Sequence, residues 1–136
     1  MASTPLLISP SILLVDDDED LLLLAKIKFT KAGYTLRVSP NAENLVGLIL
    51  EERPDIILLD ITMQGISGID ICYALKHNEK TFDIPVIIIS ANDNIEKITA
   101  TCNADDYVAK PFQIESVCEK IQNILNGNAN IPHSAT

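Results

Sequence analysis

The stretch SILLVDDDEDLLLLAKIKFTKAG, residues 11–33, decides the fold. Its apolar run at residues 12–15 ends abruptly in three consecutive aspartates, as a buried strand does where it enters a polar turn. Apolar residues then recur at helical spacing, at Leu22, Ala25, Phe29 and Ala32. Gly33 stops this pattern, because glycine readily leaves the helical conformation. The stretch therefore predicts a strand, an acidic turn and an amphipathic helix with one buried face.

Four more strand–helix units follow along the chain. The apolar runs predicted as strands two to five lie at residues 34–38, 55–60, 84–90 and 107–109. The later helices are predicted at about residues 69–78, 95–102 and 114–125, and Gly127 follows the last of them. Because strands that alternate with helices pair in parallel through right-handed crossovers, we predict an α/β domain with helices on both faces of one sheet.

The second helix is placed by a local capping signal. Ser39 supplies a capping hydroxyl, and Pro40 suits the first turn of a helix because its missing N–H has no partner there. Leu45, Leu48 and Ile49 would form the buried face of this helix. The prediction is therefore that strand two ends before Ser39 and that the helix begins at Ser39 and Pro40.

Composition and charge fit one globular domain and argue against several functions. With 136 residues, of which 47% are hydrophobic and 21% charged, the chain can bury a sizeable core. No apolar run approaches the ~18 residues that a membrane helix needs. The formal net charge of −9 argues against binding to a nucleic-acid backbone or to an anionic membrane surface. A bound cation, or a partner with a basic patch, fits this charge better.

The three cysteines, Cys72, Cys102 and Cys118, are odd in number and widely spaced. They form no Cys-x-x-Cys pair, so the sequence indicates neither a disulfide framework nor a zinc site. We expect them to be small, reduced core residues of a cytoplasmic protein. Residues 1–10 lack the basic start of a signal peptide and are expected to be an N-terminal tail.

Polar residues end four of the predicted strands. Asp16 and Asp17 follow the first strand, Asp60 and Ser90 end the third and fourth, and Lys110 comes just after the fifth. Ligands of an open parallel sheet bind beyond the carboxyl ends of its strands, so we expect these groups to converge. Crowded carboxylates fit Mg²⁺, which can bridge to a phosphoryl group, and one carboxylate can form an acyl phosphate. Each residue alone is common in turns, caps or on the surface; their joint placement favours function.

Motifs along nearly the whole chain resemble the receiver domain of two-component response regulators, the family that includes chemotaxis regulators. They are ILLVDD at residues 12–17, DITM at 60–63 followed by Gly65 and Gly68, PVIIISA at 85–91 and ADDYVAKPF at 104–112. The resemblance covers residues 11–126 and implies a flavodoxin-like (βα)5 three-layer sandwich with strand order 2-1-3-4-5. Residues 127–136 are then a polar tail or linker, and the chain is either a stand-alone receiver or part of a longer regulator.

The resemblance also implies a role for each site residue. Asp60 would be the phospho-acceptor, and Lys110 would bind the phosphoryl group. Asp16, Asp17, Asp60 and the backbone carbonyl of Thr62 would hold Mg²⁺, for which Mn²⁺ can substitute. Within the acidic pair, the resemblance favours Asp17 as the direct ligand.

Further residues match positions that switch or tune such a domain. Ser90 matches the switch hydroxyl, which would also contact the phosphoryl group, and Tyr107 matches the switch aromatic. Thr62 and Asn92 occupy positions that tune the loss of the phosphoryl group. The resemblance implies a cis bond before Pro111, whereas the sequence alone favours a trans proline that starts the last helix.

Two departures from the family pattern stand out. Gln64 lies where the family often has proline, and Asn103 lies where it often has glycine. Asn103 tolerates a left-handed backbone better than most residues. Neither change removes a group that the proposed chemistry needs.

The implied function is a phosphorylation switch and not an enzyme, although such a domain assists its own phosphorylation and dephosphorylation. A sensor histidine kinase or phosphotransfer protein would phosphorylate Asp60. The change would then alter a surface around the fourth helix, fifth strand and fifth helix, which a downstream protein or output domain reads. Direct binding to nucleic acid or to a membrane is not expected.

Three alternatives stay open at this point. A haloacid-dehalogenase-like phosphatase would explain Asp16-Asp17-Asp18, but its lysine precedes its later acidic pair, whereas Lys110 follows Asp105-Asp106. A receiver-like scaffold that no longer accepts phosphate is disfavoured by the intact acids and lysine. A flavodoxin-like nucleotide binder would need a glycine-rich loop where the chain has residues 16–20, which are acidic.

Overall fold

Five strands and five helices alternate along the chain in the computed structural model, which describes residues 9–62 and 67–127. The strands are β1 (Ser11–Val15), β2 (Thr35–Ser39), β3 (Ile56–Asp60), β4 (Val86–Ser90) and β5 (Asp106–Ala109). The helices are α1 (Glu19–Lys31), α2 (Leu45–Glu51), α3 (Gly68–Lys76), α4 (Ile95–Thr101) and α5 (Ile114–Leu125). Most of both predicted tails, together with Gln64 and Gly65, lies outside the described residues.

The strands form one parallel sheet in the order β2-β1-β3-β4-β5, which confirms the flavodoxin-like prediction. Alternate residues of each strand face opposite sides, because side chains alternate along a strand. Leu13 and Val15 pack in the cluster that includes the buried faces of α2, α3 and α4. Ile12 and Leu14 pack in the second cluster, with α1 and α5. The result is a three-layer sandwich in which the central strands are covered on both faces.

The predicted start of the second helix is wrong. Ser39 is the last residue of β2 and pairs with Val15 of β1, so the strand continues through the predicted cap. Its hydroxyl donates to the backbone carbonyl two residues further on, at 2.6 Å, instead of capping a helix. Helix α2 begins at Leu45, after Asn44 in a left-handed conformation with φ of 54°. Pairing with the neighbouring strand therefore outweighs the local signal of Ser39 and Pro40.

The other predicted elements are present, with ends that differ by one or two residues. Ala32, which was expected on the buried face of α1, instead follows the helix as its C-cap and is exposed. Asn103 has a φ of 65°, in the left-handed region where asparagine is tolerated better than most residues. This departure from glycine therefore keeps the turn between α4 and β5.

The cysteines are all free, and two of them belong to the core. Cys72 and Cys102 are buried, and the Cys72 thiol donates to the Cys102 carbonyl at 3.5 Å. Burial, followed by contact with Cys102, raises the pKa of Cys72 above its usual value. Cys118 is only half-buried, so it is a rim residue and not the core residue expected. Within residues 9–62 and 67–127, no helix combines the length and apolar character needed to cross a bilayer.

Candidate functional site

The strands end at one edge of the sheet, which we call the carboxyl edge, and the predicted acids and lysine meet there. Asp16 follows β1, Asp60 ends β3, and Lys110 follows β5. Lys110 Nζ lies 3.0 Å from Asp16 Oδ2 and 3.5 Å from Asp60 Oδ2. The pairing of Val15 with Leu59 explains why Asp16 and Asp60, the next residues on each strand, come together.

Three carboxylates crowd this edge. One oxygen each from Asp16, Asp17 and Asp60 lies within 4.8 Å of the others. Asp16 and Asp60 are only 0% and 2% exposed, whereas Asp17 is exposed. Among the described residues, Lys110 is the one cation paired with the buried Asp16 and Asp60, so two negative charges face one positive charge. Charges buried together are costly unless they are balanced.

Asp16 bears most of this cost. Its Oδ1 accepts a hydrogen bond from the Asp18 N–H at 2.9 Å. Its Oδ2 is fully buried and forms the ion pair with Lys110, but no described residue offers it an aligned hydrogen bond. Burial raises the pKa of Asp16, and the charge of Asp60 raises it further, against the lowering effects of Asp18 and Lys110. Such an oxygen fits a cation, which would supply the missing positive charge.

The carboxylate of Asp60 is oriented by the residue two positions on. The Thr62 N–H and the Thr62 hydroxyl both donate to Asp60 Oδ1, at 3.0 and 2.9 Å. Asp60 Oδ2 is the oxygen that faces Lys110. Sequence reasoning missed the hydroxyl contact, but a threonine two residues after an aspartate at a strand end is the signal for such a turn. One carboxylate oxygen is thereby held in place while the other meets the lysine.

Lys110 stays charged and lies beside an open cleft. Burial lowers its pKa, but its contacts with Asp16 and Asp60 outweigh this effect and raise the pKa above the usual value. The Lys110–Pro111 peptide bond is cis. The cleft has a volume of about 320 Å³, and Lys110, Pro111, Ala91 and Leu21 line part of it. The cleft thus gives solvent access to Lys110, whereas Asp60 itself is nearly buried.

The predicted switch residues Ser90 and Tyr107 lie on β4 and β5, and the predicted tuning residue Asn92 follows β4. Ser90 is fully buried, and its Oγ accepts from the Asn92 N–H at 3.0 Å. The Asn92 side chain in turn accepts from the N–H of Asn94 at 2.7 Å. Tyr107 is half-buried, and its hydroxyl donates to Glu96 Oε2 at 3.0 Å. The hydrogen bonds and ion pairs of the carboxyl edge thus connect Asp16, Asp60, Thr62 and Lys110. Tyr107 instead forms its hydrogen bond with Glu96 of α4.

Gly68 has a packing role at this edge. A Cβ atom there would lie 2.2 Å from Ile61 Cα and 2.9 Å from the Asp60 carbonyl oxygen. The first turn of α3 therefore packs directly on the backbone that follows Asp60, and only glycine fits without displacing it. This contact gives a physical reason for the glycine in the DITM motif region.

Comparison with known proteins agrees with this geometry. Residues 12–122 match the family described as response regulator receiver domain. The chain is 33% identical over 128 residues to the DNA-binding dual master transcriptional regulator RpaA of Synechocystis sp., an alignment that covers 93% of this chain and 53% of RpaA. The transcriptional regulatory protein AfsQ1 of Streptomyces coelicolor is 32% identical, with 85% of this chain and 51% of AfsQ1 covered. The chain thus spans about half the length of the curated relatives it matches.

A solved structure extends the similarity to three dimensions. The signal receiver domain of a signal transduction histidine kinase from Syntrophus aciditrophicus superposes with a TM-score of 0.79 and 26% identity, covering 88% of this chain and 92% of that one. Because the family model matches most of this chain, the chain belongs to the response regulator receiver family.

Proposed function

We propose that this chain is a phospho-accepting switch in which Asp60 takes a phosphoryl group from the phosphohistidine of a histidine kinase or phosphotransfer protein. The family acts in phosphorelay signalling and is not a class of conventional enzymes, which disfavours the phosphatase and nucleotide-binder alternatives. The observation that carries the proposal is the charge imbalance at the carboxyl edge. Asp16 and Asp60 are buried there, and among the described residues the Lys110 ammonium is the one cation that lies within 3.5 Å of both.

The same imbalance supports a Mg²⁺ site, which Mn²⁺ would also fill. Asp16, Asp17 and Asp60 would hold the ion, and the backbone carbonyl of Thr62 is proposed as a fourth ligand. The buried Asp16 Oδ2, to which no described residue offers an aligned hydrogen bond, supports this assignment and favours a direct role for Asp16 beside that of Asp17. When bound, the ion would supply positive charge against the carboxylates and the phosphoryl oxygens.

The transfer itself needs orientation and charge neutralisation from the protein. A carboxylate oxygen of Asp60 forms the new O–P bond as the P–N bond of phosphohistidine breaks, and the bonding electron pair returns to the imidazole nitrogen. The two donors of Thr62 hold the carboxylate during this step. Lys110, already 3.5 Å from Asp60, then neutralises charge on the phosphoryl oxygens.

Ser90 and Tyr107 would convert this event into a change of surface. The buried Ser90 hydroxyl, which now accepts from Asn92, would turn to donate to a phosphoryl oxygen. Tyr107 would turn inward behind it and alter the surface of α4, β5 and α5, as a shift between two populated arrangements. Thr62 and Asn92 would set how fast the phosphoryl group is lost, since both contact a reacting or switching side chain.

The upstream partner is proposed from the family, in which receiver domains interact with histidine kinases or phosphotransfer proteins. The downstream partner is proposed as a protein or an output domain. DNA binding is named for RpaA, a protein of about twice this length. For this chain we propose no direct contact with nucleic acid or a membrane, because of its net charge of −9. Its free cysteines support a cytoplasmic location.

Intact-mass measurement after incubation with acetyl phosphate tests the acceptor. We expect a gain of one phosphoryl group that requires Mg²⁺ and is absent in Asp60→Asn. Asp55→Asn is the matched control, because Asp55 lies just before the other end of β3 and its carboxylate accepts from the Ser11 N–H at 2.7 Å. Labelling that survives Asp60→Asn overturns the site assignment, and loss of labelling in Asp55→Asn would show that the effect is not local.

A further inference from the structure

Tyr107 is surrounded by charged groups from three elements on its solvent side. Its hydroxyl donates to Glu96 Oε2 of α4 at 3.0 Å. Lys120 of α5 places its Nζ 5.5 Å from the centre of the tyrosine ring. Lys120 also pairs with Asp106 of β5, with distances of 3.2 and 3.3 Å to the two carboxylate oxygens. The ring is therefore held between α4 and α5 by polar contacts and not by packing alone.

Inward rotation of the Tyr107 ring would break its contact with Glu96 but not the ion pair beside it. Lys120 lies over the face of the ring, and its pairing with Asp106 does not involve the tyrosine. The hydroxyl of Tyr107, in contrast, cannot turn into the protein and remain bonded to the exposed carboxylate of Glu96. A hydrogen bond to an ionised acceptor is stronger than one between neutral groups, although water competes with it at the surface. Inward rotation therefore requires this bond to break.

The sheet connects this contact to the candidate site. Ile88 pairs with Tyr107 and Ser90 pairs with Ala109, so Ser90 and Tyr107 lie two residues apart in register on neighbouring strands. Tyr107 packs partly against the cluster that contains Ile88, and Ser90, two residues beyond Ile88, projects from the same face. An inward movement of the tyrosine thus leads toward Ser90.

We propose that Glu96 is a positioning residue that latches Tyr107 outward and so stabilises the unphosphorylated arrangement. This inference rests on the proposed function, because it takes Tyr107 as the switch aromatic. The Glu96 hydrogen bond stabilises the arrangement with Tyr107 outward. A phosphoryl group that favours the inward arrangement must overcome this stabilisation. Removing the latch therefore raises the affinity for a phosphoryl mimic by linkage.

The experiment compares Glu96→Ala with Glu96→Gln, which keeps a hydrogen-bond acceptor, and with Lys97→Ala, which changes the adjacent exposed residue of α4. The first measurement is the position of the Tyr107 ring resonances by NMR, without any phosphoryl mimic. We expect Glu96→Ala to move them toward their positions in the wild-type protein saturated with Mg²⁺ and beryllofluoride. Lys97→Ala should leave them unmoved. A purely structural role for Glu96 would not produce this directed shift.

The second measurement is the affinity for beryllofluoride in the presence of Mg²⁺. We expect Glu96→Ala to bind about fivefold more tightly than wild type, with Glu96→Gln and Lys97→Ala within about twofold of it. Unchanged affinity in Glu96→Ala overturns the latch, and so do unmoved ring resonances. If the wild-type protein binds no beryllofluoride, the proposed function fails. Nuclear Overhauser contacts between the Tyr107 ring and Ser90, which Glu96→Ala should gain over wild type, then decide whether Glu96 holds the tyrosine outward.

Discussion

Both edges of the sheet contain a lysine–aspartate ion pair, yet their charges are balanced differently. At the edge where β4 and β5 begin, Lys76 lies 2.9 Å from Asp105 Oδ2 and also donates to the Ile84 carbonyl at 3.0 Å. The same oxygen of Asp105 accepts from the Val86 N–H at 2.8 Å. One cation there meets one anion, and each has a backbone partner. At the carboxyl edge, Lys110 is shared by two buried carboxylates.

This difference in charge balance suggests different roles: the Lys76–Asp105 edge is suited to stabilise the fold, and the carboxyl edge is suited to bind a cation. The Lys76–Asp105 pair joins the last turn of α3 to the turn before β5, and its side chains are 11% and 38% exposed. Both groups of this pair also have a backbone hydrogen bond, and one positive charge balances one negative charge. Among the described residues, Asp16 Oδ2 at the carboxyl edge has the ion pair with Lys110 but no aligned hydrogen bond. Such an arrangement should lower the stability of the metal-free protein, and it would become favourable once the proposed cation and phosphoryl group bind.

The largest expected contrast concerns labelling. Lys110→Ala should slow labelling by acetyl phosphate in Mg²⁺ by about a hundredfold or more, because it removes the side-chain cation that faces Asp60. Lys76→Ala removes the matching cation at the other edge and should change the rate by less than about threefold. The rates follow from intact mass against time. Equal rates in Lys110→Ala and wild type would contradict the role given to Lys110.

The second contrast concerns stability. Lys76→Met should lower the free energy of unfolding by about 2 kcal/mol, because it leaves the Asp105 carboxylate and the Ile84 carbonyl without the ammonium, while partial exposure of Asp105 limits the loss. Urea unfolding at neutral pH measures it. Lys97→Met, at an exposed position of α4, should stay within about 0.5 kcal/mol of wild type.

A double-mutant cycle then separates the pair from its surroundings. Asp105→Asn should cost less stability in the Lys76→Met background than in the wild-type background, because its charged partner is already gone. Strictly additive losses would show that the two charges do not stabilise each other.

The residues of the carboxyl edge could be predicted from sequence because the C-terminal ends of parallel strands all lie at the same edge of the sheet. Once β1, β3 and β5 are recognised as strands, the residues that follow them, Asp16, Asp60 and Lys110, have to lie at one edge. The detailed bonding did not follow in the same way. The donation of the Thr62 hydroxyl to Asp60 depends on the local turn, which the apolar pattern does not specify.

The features that sequence reasoning missed depend on contacts between different elements of the fold. Lys76 and Asp105 are separated by 29 positions, and only the packing of α3 against the turn before β5 brings them together. The same is true of Glu96 and Tyr107, which meet because α4 lies against β5. Ser39 fails as a helix start for the same reason, since its pairing with β1 is stronger than its capping preference.

The smallest expected effect has the opposite sign to that of Lys76→Met. Without Mg²⁺ at pH 7, Asp16→Asn should raise the free energy of unfolding by about 1 kcal/mol, because burial and the charge of Asp60 raise the pKa of Asp16 in the folded protein. The folded state then holds the Asp16 proton more tightly than the unfolded state, so the carboxylate destabilises the fold once the pH exceeds the unfolded pKa. Unfolding by urea in a chelator, at pH 7 and in acid, measures the difference.

The prediction for Asp16→Asn has two controls, unfolding at lower pH and unfolding in excess Mg²⁺. The advantage of Asp16→Asn should shrink as the pH falls toward the ordinary aspartate range, because wild-type Asp16 then becomes protonated and loses its charge. Excess Mg²⁺ should stabilise wild type and leave Asp16→Asn nearly unchanged, which narrows or reverses the difference at pH 7. A variant less stable than wild type in the chelator would mean that Lys110 already balances Asp16, and the contrast between the two edges would then lose its electrostatic basis.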